Sequence, residues 1–192
     1  MTESPVPNHI ALLVRSVDRT ASNLRKYGFQ AGLAEEWEGE GTKEIYVERE
    51  KGNSLLLMEP VKPGAYQRAL EKRGPGVHHL AIDVKNLDEF LISLSSTGWL
   101  LHPMSIRTMR KTKTAYLARP GFPALIEVQE RAELKIRPNF VDKIGLRFST
   151  DLSRLASAIG LEHMICREAK EPWLSCAGKT ISLETLSMGE TI

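Results

Sequence analysis

The 192-residue sequence predicts an α+β fold: two tandem strand-helix-strand-strand-strand units, followed by a third and weaker half-module of the same kind. Two observations carry this expectation. The segment Asn8-His9-Ile10-Ala11-Leu12-Leu13-Val14 returns seventy residues later as His78-His79-Leu80-Ala81-Ile82-Asp83-Val84, and the same offset carries Val17-Asp18 onto Leu87-Asp88, Tyr27-Gly28-Phe29 onto Thr97-Gly98-Trp99 and Tyr46-Val47 onto Tyr116-Leu117. Within each copy, alternating apolar residues give way to the three-and-four spacing of a helix face.

Taken in order, residues 8–14 alternate as a half-buried strand does, and residues 18–27 form a helix that Gly28 stops, because glycine accepts the left-handed conformation at a helix end. Strands follow at residues 44–48 and 54–59. In the second copy the helix spans 88–97, on the spacing of Leu87, Phe90, Leu91 and Leu94, with Gly98 as its stop; strands fall at 114–118 and 124–129. The charged stretch 131–139 reads as a linker, which divides the chain into 1–132, a paired module, and 133–192, linker plus third half-module. In that half-module a strand is expected at 143–148, a helix at 152–159 ended by Gly160, and strands at 162–167, 173–176 and 180–186.

In the third copy Lys143 stands where His9 and His79 stand in the others, and Glu184 roughly matches Glu127, so no metal is expected there and Lys143 can pair with Glu184. Its apolar residues Ile144, Leu146, Phe148, Trp173 and Leu183 have no internal sister unit. A homodimer through residues 140–192 would cover them; folding back onto the helices of the first two units is the alternative.

Lys+Arg 26 against Asp+Glu 24 gives a formal charge of +2, too balanced to suggest nucleic acid or a membrane surface as partner. No apolar run approaches the roughly 20 residues of a membrane-spanning helix. Residues 1–8 lack the basic and apolar regions of a secretory signal, and a cytoplasmic location is expected. Cys166 and Cys176 read as reduced thiols.

Three stretches resemble the vicinal oxygen chelate (glyoxalase, bleomycin-resistance and dioxygenase) superfamily, most closely its methylmalonyl-CoA epimerases: His9-Ile10-Ala11-Leu12; Leu56-Leu57-Met58-Glu59-Pro60-Val61 with Leu70-Glu71-Lys72-Arg73-Gly74-Pro75-Gly76-Val77-His78-His79-Leu80-Ala81; and Leu125-Ile126-Glu127-Val128. The resemblance implies that two units join into a curved mixed sheet around a cleft, with a metal ligand from each of four strands. The matching positions are His9, Leu56, His79 and Glu127. Glu127 lies three before Glu130 as Leu56 lies three before Glu59, so a leucine occupies one ligand position. His9, His79 and Glu127 remain, two imidazoles and a carboxylate suited to a divalent ion such as cobalt, zinc, manganese, nickel or iron.

What the resemblance implies for function is an epimerase- or lyase-like enzyme that stabilises an enolate on the metal and acts on a small anionic or acyl-thioester substrate. The three-ligand subset also matches ferrous extradiol dioxygenases, and loss of the fourth ligand allows a non-catalytic binding protein. Glu127 and Glu48 are the candidate catalytic carboxylates; Glu44, Glu38 and Glu40 are further candidates, with Glu44 read as a solvated residue. Tyr46 and Tyr116 are placed to hydrogen-bond an oxyanion. Arg110, with Arg107, Lys111 and Lys113, forms a basic loop that can bind an anionic substrate. His78 is assigned to the face opposite His79 by strand alternation.

Overall fold

The computed structural model describes residues 3–148, 152–166 and 170–188. The first unit runs β1 (Val6–Leu13), α1 (Val17–Lys26), β2 (Glu35–Trp37), β3 (Thr42–Val47) and β4 (Ser54–Pro60). A helix, α2 (Ala65–Arg73), leads into the second: β5 (Gly76–Val84), α3 (Leu87–Ser93), β6 (Leu100–Leu101), α4 (Ser105–Thr112), β7 (Thr114–Ala118) and β8 (Leu125–Glu130). Helices α2 and α4 bury only Leu70 and Ser105 respectively, so neither carries the apolar stripe that would announce it in sequence.

Helices α1 and α3 begin alike. Ser16 and Asn86 accept from the backbone N–H groups of Arg19 and Glu89, while Glu59 and Glu130, at the ends of β4 and β8, accept from the first helical N–H groups, those of Val17 (2.8 Å) and Leu87 (3.0 Å). Each helix start thus gains a side-chain cap and a carboxylate at its positive end. Both units turn on a glycine at positive φ, Gly28 (+86°) and Gly98 (+84°). Helix α3 is shorter than the expected 88–97, ending where the Ser93 and Thr97 hydroxyls donate to the carbonyls of Phe90 and Leu94.

The eight strands form one curved mixed sheet in the order β2-β3-β4-β1-β5-β8-β7-β6. Strand β1 lies parallel to β4 and β5 parallel to β8, and the antiparallel pair β1·β5 is the seam between units. Alternation sends Ile10, Leu12, Leu55, Leu57, Leu80, Ile82, Ile126 and Val128 into one core with α1 and α3. Ala11, Leu13, Leu56 and Met58 face the other way and pack with Leu70, lining the cleft.

The last segment runs β9 (Val141–Gly145), α5 (Leu152–Ala158), β10 (Ile165–Cys166), β11 (Trp173–Cys176), β12 (Lys179–Ser182) and α6 (Leu183–Met188). It repeats the succession of elements but not their pairing. Its sheet order is β10-β9-β11-β12, with β9 between the parallel β10 and the antiparallel β11, whereas β1 and β5 each lie beside the last strand of their own unit. The final strand stops at Ser182, so Glu184 lies on α6 rather than at the strand position of Glu127, and Lys143 is exposed. The expected strand end at Arg167 lies outside the described residues.

This segment folds back onto the helical side of the large sheet. Helix α6 packs on α1, Phe140 meets Phe29 edge-on (4.8 Å between ring centres), Phe148 meets Phe122 (5.4 Å), and Lys179 Nζ donates to the Tyr27 carbonyl (2.7 Å). Ile144, Leu146 and Leu183 are buried in the same core as α1. The apolar surface expected to require a homodimer is therefore covered within the chain.

The linker, residues 131–139, has neither helix nor strand, yet it is fixed to the β3–β4 loop. The Gly52 N–H donates to the Pro138 carbonyl (2.8 Å), and a Cβ at Gly52 would stand 2.2 Å from the Arg137 oxygen, so only glycine allows this approach. Beside it Asn53, fully buried, accepts from the N–H groups of Phe140 (2.8 Å) and Val141 (2.7 Å) and donates to the Val141 carbonyl (2.9 Å). No helix among the described residues is long and apolar enough to cross a membrane.

Candidate metal centre

Two rows of residues cross the cleft face at the seam. One reads Ser54-His9-Ala81-Glu127-Tyr116 and the other Leu125-His79-Ala11-Leu56-Tyr46. A twofold operation exchanging the units maps one row onto the other, histidine on histidine, Tyr116 on Tyr46 and Glu127 on Leu56. Leucine thus stands at the exact counterpart of the carboxylate ligand, as the Glu59/Glu130 alignment predicts.

The rows bring His9, His79 and Glu127 together, each buried. His9 Nε2 lies 3.0 Å from His79 Nε2 and 3.8 Å from Glu127 Oε2, and His79 Nε2 lies 3.1 Å from that oxygen. Ligand bonds of about 2.1 Å place neighbouring donor atoms about 3.0–3.4 Å apart at octahedral or tetrahedral angles. Two of the three spacings lie in that range and the third, 3.8 Å between His9 and Glu127, spans a wider angle, so the group could hold a first-row divalent ion.

Two β-bulges orient the imidazoles. The β1·β5 register slips between Pro7 and His9 and again between Ala11 and Leu12, opposite Val77 to His79. Each slip brings the residue before a histidine alongside it. Asn8 Nδ2 donates to Asp83 Oδ2 (2.8 Å), which turns its Oδ1 to accept from His9 Nδ1 (2.7 Å) and leaves the His9 Nε2 lone pair aimed at the site. His78, the equivalent of Asn8, sits with its Nδ1 2.9 Å from His79 Nδ1 and its ring 5.0 Å from that of Tyr66. The assignment of His78 to the opposite face is therefore corrected: strict alternation fails at a bulge.

Burial, with the neighbouring His79 charge, holds His9 at about 3, and burial likewise holds His78 at about 3. A neutral ring is what a metal requires. For Glu127 burial acts upward, but the hydrogen bond from His79, the His79 and His9 charges and the Gln129 amide outweigh it and hold the carboxyl at about 2. Gln129 Nε2 donates to Glu127 Oε1 (2.5 Å), and Tyr116 shares a hydrogen bond with the same carboxylate.

The other expected site residues divide. Tyr46 and Tyr116 both flank the centre: the Tyr46 ring meets His9 edge-on at 6.0 Å, and burial pushes its hydroxyl up to about 12. Glu48 is not brought in. Strand β3 ends at Val47, Glu48 takes φ +55°, and its carboxylate accepts from the Gln30 N–H (2.9 Å). Glu44, read as solvated, is instead buried on the cleft side, accepts from Thr42 Oγ1 (2.8 Å), and has its carboxyl raised by burial. Glu40 is exposed and accepts from the Tyr66 hydroxyl (2.9 Å), and Glu38 is exposed. Arg107, Arg110 and Lys111 lie on α4, with Lys113 at its left-handed end, all four exposed, so the expected basic loop is a helix.

Two buried histidines and one buried carboxylate that could hold a metal ion thus meet at the seam of a duplicated sheet. Residues 8–116, more than half the chain, match the Glyoxalase/Bleomycin resistance protein/Dioxygenase superfamily, and the chain belongs to that superfamily. Solved structures similar to it include a hypothetical protein from Bacillus halodurans, 23% identical over 70% of this chain and 100% of that one (TM-score 0.56). The methylmalonyl-CoA epimerase from Mycobacterium tuberculosis is 24% identical over 69% of this chain and 93% of that one (0.53). A variant of the Streptomyces coelicolor methylmalonyl-CoA epimerase, in complex with 2-nitronate-propionyl-CoA, is 22% identical over 68% and 100% (0.52). At such identities the likeness is one of fold. No curated protein matches the sequence.

The Leu56 position yields a prediction. Leu56→Glu supplies a carboxylate at the counterpart of Glu127, and affinity for zinc or cobalt in a chelator-competition titration is expected to rise by about tenfold or more. Unchanged affinity would show that position 56 does not reach the ion.

Proposed function

We propose that the chain is a divalent-metal enzyme of isomerase or lyase type, akin to methylmalonyl-CoA epimerase in reaction class, acting on a small anionic or acyl-thioester substrate. The convergence of His9, His79 and Glu127 at the floor of a cleft walled by Leu56, Met58 and Leu70 carries this reading. A divalent ion held there supplies Lewis-acid stabilisation of negative charge on neighbouring substrate oxygens, that of an enolate above all. The chain supplies the rest. Glu127, engaged through both oxygens, serves as a ligand rather than as a base. Tyr46 and Tyr116 remain protonated and donate hydrogen bonds to the developing oxyanion. Glu44, rather than Glu48, is the carboxylate that accepts the carbon-bound proton, since it is buried on the cleft side of the strand that carries Tyr46.

Solvent-deuterium incorporation into a panel of α-branched acyl thioesters, with the metal-loaded protein, tests the reading; no incorporation with any of them overturns it. Glu44→Gln is expected to lower the exchange rate by about 10²–10⁴ with metal content unchanged. Full exchange in that variant would remove Glu44 from the role.

Leu56 favours one second reading. With its fourth position apolar, the centre is the two-histidine, one-carboxylate triad of ferrous oxygenases. Anaerobic loading with ferrous iron and exposure to catechols and oxygen would reveal coloured ring-cleavage products; none forms if the first reading holds.

A further inference from the structure

A cavity of about 390 Å³ opens at the edge of the cleft, with Asn8 and Tyr46 in its wall. Two segments some eighty residues apart in sequence build it. Arg49 and Lys51 come from the loop after β3, and Arg131, Lys135 and Arg137 come from the linker; Glu50 and Asp83 are the two carboxylates there. Arg131 pairs with Asp83 (3.4 Å) and Arg137 with Glu50 (3.3 Å). Arg49 reaches out to Glu35 (3.6 Å) with its guanidinium 4.7 Å from the centre of the Tyr46 ring. Among the described residues, Lys51 and Lys135 have no carboxylate within salt-bridge distance.

We infer that this cavity is a subsite for a phosphate-type, multiply charged anionic group on the substrate whose oxygens meet the metal centre. Three features point to it. Of the five cations around this polar hollow, three are paired, with Asp83, Glu50 and Glu35, which leaves the two positive charges of Lys51 and Lys135, more than one carboxylate would balance. The unpaired charges are ammonium groups, which bind phosphate as point charges without needing the flat, two-pronged geometry of a carboxylate. The two walls are also held at a fixed spacing, because the Gly52 N–H bonds Pro138 and the linker backbone lies against Gly52 itself.

The position links the hollow to the chemistry. Tyr46 lines the cavity and meets the His9 ring edge-on, and Asn8 lines it while holding His9 Nδ1. A substrate anchored there by its charged end extends past Arg49 and Tyr46 toward His9. Lys135 and Arg137 lie beyond the residues that match the superfamily, so the linker adds this wall to the paired module. The assignment rests on the proposed metal centre only in making the anion part of a substrate; binding of the anion itself needs no metal.

Calorimetric titration of the full chain with inorganic pyrophosphate tests the subsite, with succinate as the dicarboxylate comparison. Pyrophosphate is expected to bind one to one, to weaken as salt is raised, and to bind at least tenfold more tightly than succinate. Lys51→Glu with Lys135→Glu is expected to weaken it at least tenfold, and the milder pair Lys51→Ala with Lys135→Ala in the same direction. His9→Ala is expected to leave it unchanged, so a failed metal centre and a failed subsite give different results. Absence of binding, equal binding of succinate, full affinity in both lysine pairs, or loss of binding in His9→Ala would each overturn the assignment.

Discussion

Replacing His79 by alanine is expected to leave the purified chain without stoichiometric divalent metal, with affinity reduced by about a hundredfold or more. His79 Nε2 is the most central of the three donor atoms, 3.0 Å from His9 Nε2 and 3.1 Å from Glu127 Oε2. Its removal leaves one imidazole and one carboxylate 3.8 Å apart, too few donors to displace the water around a first-row ion. His9→Ala is expected to behave alike. Asn8→Ala should lose about 10- to 100-fold, because the His9 ring survives but nothing fixes which nitrogen bears its proton. Elemental analysis of protein purified without chelator, followed by chelator competition, reads all three. Full metal content in both histidine variants would remove the centre, and full affinity in Asn8→Ala would remove the orienting role of the bulge.

The second large effect is on stability. Asn53→Ala is expected to cost about 3 kcal/mol and to lower the unfolding midpoint by roughly 6–12 °C, because three buried backbone groups lose their partner at once. Those groups, the Phe140 and Val141 N–H and the Val141 carbonyl, start the strand that begins the second sheet. Asn53→Asp keeps both accepted bonds and loses the donated one, so its loss should be smaller. Thermal unfolding followed by circular dichroism measures the series. Equal midpoints for wild type and Asn53→Ala would show that solvent reaches these groups.

Much of the paired module was legible because duplication wrote it twice. The offset that matches Asn8-His9 with His78-His79 also aligns Glu59 with Glu130, and those two carboxylates cap equivalent helices. The candidate ligand set came from the resemblance, and that register set Leu56 against Glu127. Features that depend on departures from the regular strand were not legible. His78 joins its neighbour through a bulge, Glu48 turns away at positive φ, and Glu44 is buried by elements that its own heptapeptide does not mention. The basic cavity unites Lys51 with Lys135, and no local pattern marks such a pair. In the last segment the succession of elements was readable, but the strand order, with β9 between β10 and β11, is a matter of long-range pairing that local periodicity does not encode.

The Asn53 junction also bears on how the chain comes to be folded. Asn53 is made 87 residues before Phe140, the first group it binds, so on a growing chain its amide must wait in water until the linker has been synthesised. The seam between the units closes earlier, since β1 needs only β5. The final segment is thus a late lid on a sheet that already exists, and its docking carries the large loop-closure cost of a distant contact. A nascent chain arrested before Phe140 would carry the outer faces of α1 and Phe29 uncovered, the kind of apolar surface that chaperones recognise.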